Sequence, residues 1–239
     1  MVLLTTVACG VFSPRTGQAQ SSNDLAAFSA LIVSPSGALA PIAVDNGQRQ
    51  AEHTSLAIRF GAWRYDLDDA EHQNVALTYA HRIAGTRASV SLTGAYLVLA
   101  CTCSAWTSGG VAVKTTLWNS NARHTTAPRT MHIAIDLASG GARYSGVGHA
   151  TAYASSGVLD VGVGLATFKH TRLAVTVNPG IGYGRLQSTD ASGHGFRTLL
   201  GASVSWRTPI GLALDVGMQR VVLAGGPTAY GGGLSWHSK

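Results

Sequence analysis

The stretch LAVTVNPGIGYGRL, residues 173–186, decides the fold. It sets Leu173, Val175, Val177, Ile181 and Tyr183 on one face and Thr176, Asn178, Gly180, Gly182 and Gly184 on the other. A period of two is the mark of a β-strand whose faces meet unlike surroundings. The run exceeds the roughly 5–6 residues usual for a strand in a soluble sheet. It suits the roughly 9–11 residues with which a tilted strand crosses a bilayer.

Working outward, the same alternation recurs from Leu56 to the end of the chain, giving ten segments in all. Leu56, Ile58 and Phe60 oppose Ala57 and Arg59; Val75, Leu77 and Tyr79 oppose Ala76, Thr78 and Arg82. Val111, Val113 and Leu117 oppose Lys114; Met131, Ile133, Ile135 and Leu137 oppose His132 and Asp136. Leu159, Val161 and Val163 oppose Asp160, and Leu212, Leu214 and Val216 oppose Asp215. Charges follow the same parity. Arg59, Arg82, Lys114, Asp136, Asp160, Arg197, Arg207 and Asp215 all fall on the face away from the apolar set. A cation turned to lipid at mid-bilayer costs roughly 2–4 kcal/mol, so this parity is what a membrane barrel requires. The expected fold is all-β: a transmembrane antiparallel up-and-down barrel of ten strands, with eight or twelve as neighbouring solutions. Arg59, Arg82, Lys114, Asp136, Asp160, Arg197 and Asp215 are its lumen-facing polar candidates.

Links between segments predict an alternation of short turns and longer loops. Short ones are expected at 84–87, 169–171 and 208–210, longer ones at 66–73, 100–110, 139–157, 187–195 and 223–227. The link at 119–129 departs from the rule, being long where a short turn is due.

Composition agrees with a barrel. Hydrophobic residues are 46% of the 239 and charged ones 12%, about half the share of charge common in soluble domains. Mean hydropathy is +0.17, yet no run approaches the 18 apolar residues of a spanning helix. The net charge of +6 is carried by scattered single cations, which speaks against nucleic-acid binding. Rim cations are instead expected to meet phosphates of outer-membrane lipid or lipopolysaccharide.

The amino terminus reads as a secretory signal. Residues 1–12 are mostly apolar, Pro14 breaks the run, and Gly17-Gln18-Ala19 is a small-x-small site. Cleavage after Ala19 is expected, although no Lys or Arg precedes the apolar run. Cys9 in a lipobox is the weaker alternative. Residues 20–54 form an irregular periplasmic lead-in, plug or extra strand, and 55–239 the barrel. Cys101 and Cys103 lack the spacing of a zinc site, so no metal and no cofactor is expected.

The run Val175–Arg185 resembles the glycine-rich aromatic strands of the small OmpA/OmpX-like outer-membrane barrels. The ending Tyr230-Gly-Gly-Gly-Leu-Ser-Trp236 is similar to their C-terminal assembly signal, with Tyr230, Leu234 and Trp236 as its alternating apolar positions. The resemblance implies location in the bacterial outer membrane, and recognition by the barrel-insertion machinery and periplasmic chaperones. His237-Ser238-Lys239 after the final aromatic is a departure from that pattern.

Catalytic readings are weak. His53-Thr54-Ser55 with Glu71 matches a His-x-Ser hydrolase pattern, as in a lipid-modifying barrel enzyme. Asp66, Asp68, Asp69, Glu71 and His72 cluster as in the acidic rim of a barrel protease. Neither carries a specific motif, so no enzyme is assigned. The expected role is structural, surface-interacting or that of a narrow pore. A secreted soluble β-sandwich binding module is the rival, since soluble sheets also alternate.

Overall fold

A computed structural model describes residues 54–64, 71–98, 105–120, 129–145, 150–166, 171–188, 192–222 and 228–238. They form ten strands: β1 (Thr54–Arg64), β2 (Glu71–Arg82), β3 (Ala88–Val98), β4 (Ala105–Asn119), β5 (Arg129–Ser145), β6 (Ala150–Ala166), β7 (Arg172–Ser188), β8 (Ser192–Arg207), β9 (Leu212–Val221) and β10 (Thr228–His237). Every strand runs antiparallel to its sequence neighbours, and β1 pairs β10 from Ser55↔His237 to Arg64↔Thr228, closing the sheet. Closure leaves no strand edge unpaired. Each expected segment is a strand of this barrel, and the two-layer sandwich is not adopted. The segment expected to be a signal peptide, most of the expected lead-in, Cys101, Cys103 and the Asp66, Asp68 and Asp69 cluster lie outside the described residues.

The expected alternation of link lengths does not hold. The residues read as a loop at 139–157 are largely strand, because β5 runs to Ser145 and β6 starts at Ala150. Gly140 pairs Ala154 and Gly141 pairs Tyr153. Glycine and serine signal a turn when the chain has only itself to bond, but a neighbouring strand supplies their backbone partners here. The Tyr153 ring also lies over Gly141, in space that a side chain would occupy. Likewise β4 begins at Ala105, while only 189–191 separate β7 from β8. The link at 120–128 stays long, and Ser120 starts it with its backbone N–H on the Met131 carbonyl.

Two tight turns depend on glycine. Gly85 sits at φ 73°, inside a turn closed by Thr86 N–H to the Ile83 carbonyl. Gly211 sits at φ 89° in the Thr208–Gly211 turn. A Cβ on Gly211 would run into the His237 carbonyl oxygen, so this turn and the barrel seam fit only with glycine.

The faces divide as the alternation requires. Along β7 the burial alternates almost without a break. Leu77, Leu92, Val177, Val204 and Leu214 point outward, each roughly half exposed, while Ala134, Ala152, Asp160 and Ala174 are wholly buried inside. A bulge at Leu117 shifts the β4–β5 register, so Leu117 and Trp118 both face out. The outward apolar residues extend around all ten strands. Leaving a large apolar side chain in water forfeits about 1.5–3 kcal/mol against burial. Dozens of them would overwhelm a folding stability of roughly 5–15 kcal/mol. The barrel is therefore a transmembrane one, with hydrocarbon as the solvent of its outer wall.

Candidate functional site

The inward row of each strand builds a polar layer across the barrel. Lys114 on β4 reaches Asp160 on β6 at 2.5 Å, both side chains buried. Asp160 also accepts a hydrogen bond from Asn178 Nδ2 on β7 at 2.6 Å. Lys114 stands opposite Asp136 in register, and Arg59 bears electrostatically on both Asp136 and Asp215. On the other wall, Ser235 Oγ donates to Asp215 at 3.2 Å. Thus the three carboxylates of the layer each have a cation or donor near, which is the condition for burying charge without several kcal/mol of uncompensated desolvation.

Five of the sequence candidates, Arg59, Lys114, Asp136, Asp160 and Asp215, are buried in this layer. Two sit elsewhere. Arg82, at the end of β2, folds its guanidinium onto the Thr86 carbonyl at 3.0 Å and belongs to the turn. Arg197 is half-buried nearer the other end of the barrel and donates to the Phe196 carbonyl at 2.6 Å. Sequence reasoning passed over Asn178, Gln219, Arg172 and His132, all buried. The alternation set Asn178, Gln219 and His132 inward without a formal charge to single them out, and Arg172 precedes the segment that begins at Leu173.

The interior is stratified. Beyond the charged layer, toward the end opposite Thr54 and His237, apolar inward residues predominate, interrupted by buried Ser156 and half-buried Arg197. On β6 the apolar ones are Val158, Ala154 and Ala152; on β7 Leu186; on β8 Leu199; on β9 Val221. Trp106 and Tyr144, paired on β4 and β5, set their rings 5.4 Å apart near that end. Toward the chain termini lie Thr130, His132, Arg172 and Arg207, buried and polar.

Of the hydrolase pattern, His53 lies outside the described residues, and the backbone sets Ser55 and Glu71 far apart. Ser55 pairs Ala80 at one end of the β1–β2 hairpin and Glu71 pairs Arg64 at the other, about 30 Å apart at strand rise. Among the described residues no three His, Cys, Asp or Glu side chains gather as a metal site. The C-terminal positions Tyr230, Leu234 and Trp236 point outward from β10, and the strand continues through His237, whose N–H bonds the Gly211 carbonyl.

No protein-family model matches the chain, and no curated protein matches it. Solved structures do. Ail, the attachment invasion locus protein of Yersinia pestis, aligns over 79% of this chain and 99% of its own, with 11% identity and a TM-score of 0.35. Neisserial surface protein A aligns over 79% and 98%, with 9% identity and a TM-score of 0.37. The KdgM porin aligns over 77% and 99%, with 12% identity and a TM-score of 0.34. At these scores the likeness adds no weight to the registers and burial described above.

Proposed function

We propose that the chain is an integral barrel of the bacterial outer membrane with a shut lumen, serving a structural or surface-interacting role and no enzymatic one. The observation that carries this reading is the layered interior. Neutralised charges around Lys114, Asp160 and Asn178 are overlain by Val158, Leu186, Leu199 and Val221. An apolar constriction sheds water and blocks ions, and paired charges below it have no need of a conducting path. Outer-membrane location is supported by the closed sheet, the apolar outer wall and the leader expected at 1–19. Both described chain ends lie at one end of the barrel, which then faces the periplasm, as an even strand number requires.

Single-channel recording in planar bilayers tests the reading. A shut barrel gives no discrete conductance steps; stable steps with an ion-selective reversal potential overturn it. The narrow-pore alternative draws on one observation. The side-chain polar atoms of Thr176, Ser203 and Gln219 are buried without hydrogen-bond partners among the described residues, as groups solvated by a file of water would be.

A further inference from the structure

The outer wall of β5–β8 carries a feature that a uniform lipid-facing belt has no use for. A depression of 760 Å³ opens there, its floor made by Ser155 and Gly157 on β6, its walls by Leu137, Ile181, Tyr183 and Phe196. The two hydroxyls that would be costly in hydrocarbon satisfy each other, Ser139 Oγ to Ser155 Oγ at 2.9 Å. Tyr183 and Phe196 ring centroids lie 5.0 Å apart along one wall.

Directly beyond the depression, toward the end away from the chain termini, stands a row of polar and aromatic side chains. Tyr153 on β6 faces Arg185 on β7, and Arg185 faces His194 on β8. Arg143, two residues past Gly141 on β5, flanks Tyr153, whose ring overlies that glycine. Arg143, Tyr153, Arg185 and His194 are all exposed. The carboxylates on strands β5 to β9, Asp136, Asp160 and Asp215, all point inward, and Glu71 lies on β2, three strands from β5. Neither Arg143 nor Arg185 therefore has an anionic partner among the described residues.

We infer that this face binds one phosphorylated, multiply acylated lipid of the outer leaflet, its acyl chains in the depression and its phosphates on Arg143 and Arg185. The inference rests on the membrane-barrel reading and deepens it. Width selects the ligand. Arg143 to His194 spans three strand spacings, about 14 Å, which is broad for the single phosphate of a two-chain phospholipid and suits a headgroup bearing two. The depression, reaching from Val111 on β4 to Phe196 on β8, likewise takes more than one chain. Arginine's fixed fork of donors favours phosphate oxygens, and hydrocarbon nearby strengthens the attraction by lowering the local dielectric.

The test uses the full chain in phosphatidylethanolamine nanodiscs doped with bisphosphorylated hexa-acyl lipid A or with phosphatidylglycerol, and native mass spectrometry to read retained lipid. The wild type is expected to keep one bisphosphorylated lipid. Arg143→Ala with Arg185→Ala lowers its occupancy at least tenfold, as does Gly157→Leu, which fills the floor. Arg87→Ala, in the turn at the opposite end, leaves it unchanged. Heat-modifiable migration on gels verifies that each variant is folded. Equal retention by the double arginine variant, or phosphatidylglycerol kept as firmly as the bisphosphorylated lipid, overturns the site. A wild type that fails to enter the bilayer overturns the membrane reading instead, and the site with it.

Discussion

Asn178 donates a 2.6 Å hydrogen bond to Asp160 across the stretch where β6 and β7 lose their backbone pairing. The ladder holds at Val158↔Gly180 and resumes at Val161↔Val177 in the same register. Between them lies Pro179, which has no N–H to give. The side-chain bond thus bridges inside the barrel what proline removes from the backbone. It also delivers Asp160 to Lys114, tying three strands through one carboxylate.

Replacing Asn178 with Leu breaks this bridge while keeping volume. A buried polar group left without its partner costs about 1–3 kcal/mol. Urea unfolding followed by gel migration is expected to show a loss of that order, and unchanged stability would refute the role assigned to Asn178.

Lys114→Met leaves the Asp160 charge buried without its cation, a loss expected to reach about 3–5 kcal/mol. Adding Asp160→Asn removes the stranded charge and should recover most of it. A double-mutant cycle checks this. Additive losses from the two substitutions would mean that the pair is not coupled.

Gly211→Ala forces a Cβ toward the His237 carbonyl at a φ of 89°. Gly94→Ala meets nothing within 4 Å. The first is expected to lower stability by more than about 1 kcal/mol and the second to be neutral, both read from thermal unfolding in detergent.

Leu214→Arg turns a cation to the hydrocarbon, since Leu214 is 49% exposed on the outer wall. The expected cost is about 2–4 kcal/mol in a bilayer, measured as a shift in the folding midpoint in vesicles. The same change in a soluble protein's exposed face would be nearly neutral.

Much of this arrangement was legible in the chain itself. Strict parity in residues 173–186 and in the segments around it placed Arg59, Lys114, Asp136, Asp160 and Asp215 inside, because a one-residue slip would have exchanged both faces. What escaped was set by tertiary pairing. The upper halves of β5 and β6 look like loop because Gly140, Gly141, Ser155 and Ser156 have little strand preference of their own, and only the adjoining strands fix them. The bulge at Leu117 has no local signal either. The lipid-facing depression depends on small residues of β5 and β6 meeting in register, a juxtaposition that no single segment encodes.

Parity in a real bilayer is the most direct measurement. With the three cysteines replaced, a nitroxide would be placed in turn at each position from Val161 to Leu165 on β6, in vesicles. Oxygen dissolved in lipid should broaden the spectra of Val161, Val163 and Leu165 strongly, and Gly162 and Gly164 hardly at all. Equal response along the run, or quenching of the odd positions by a water-soluble reagent, would mean that the apolar wall does not face hydrocarbon.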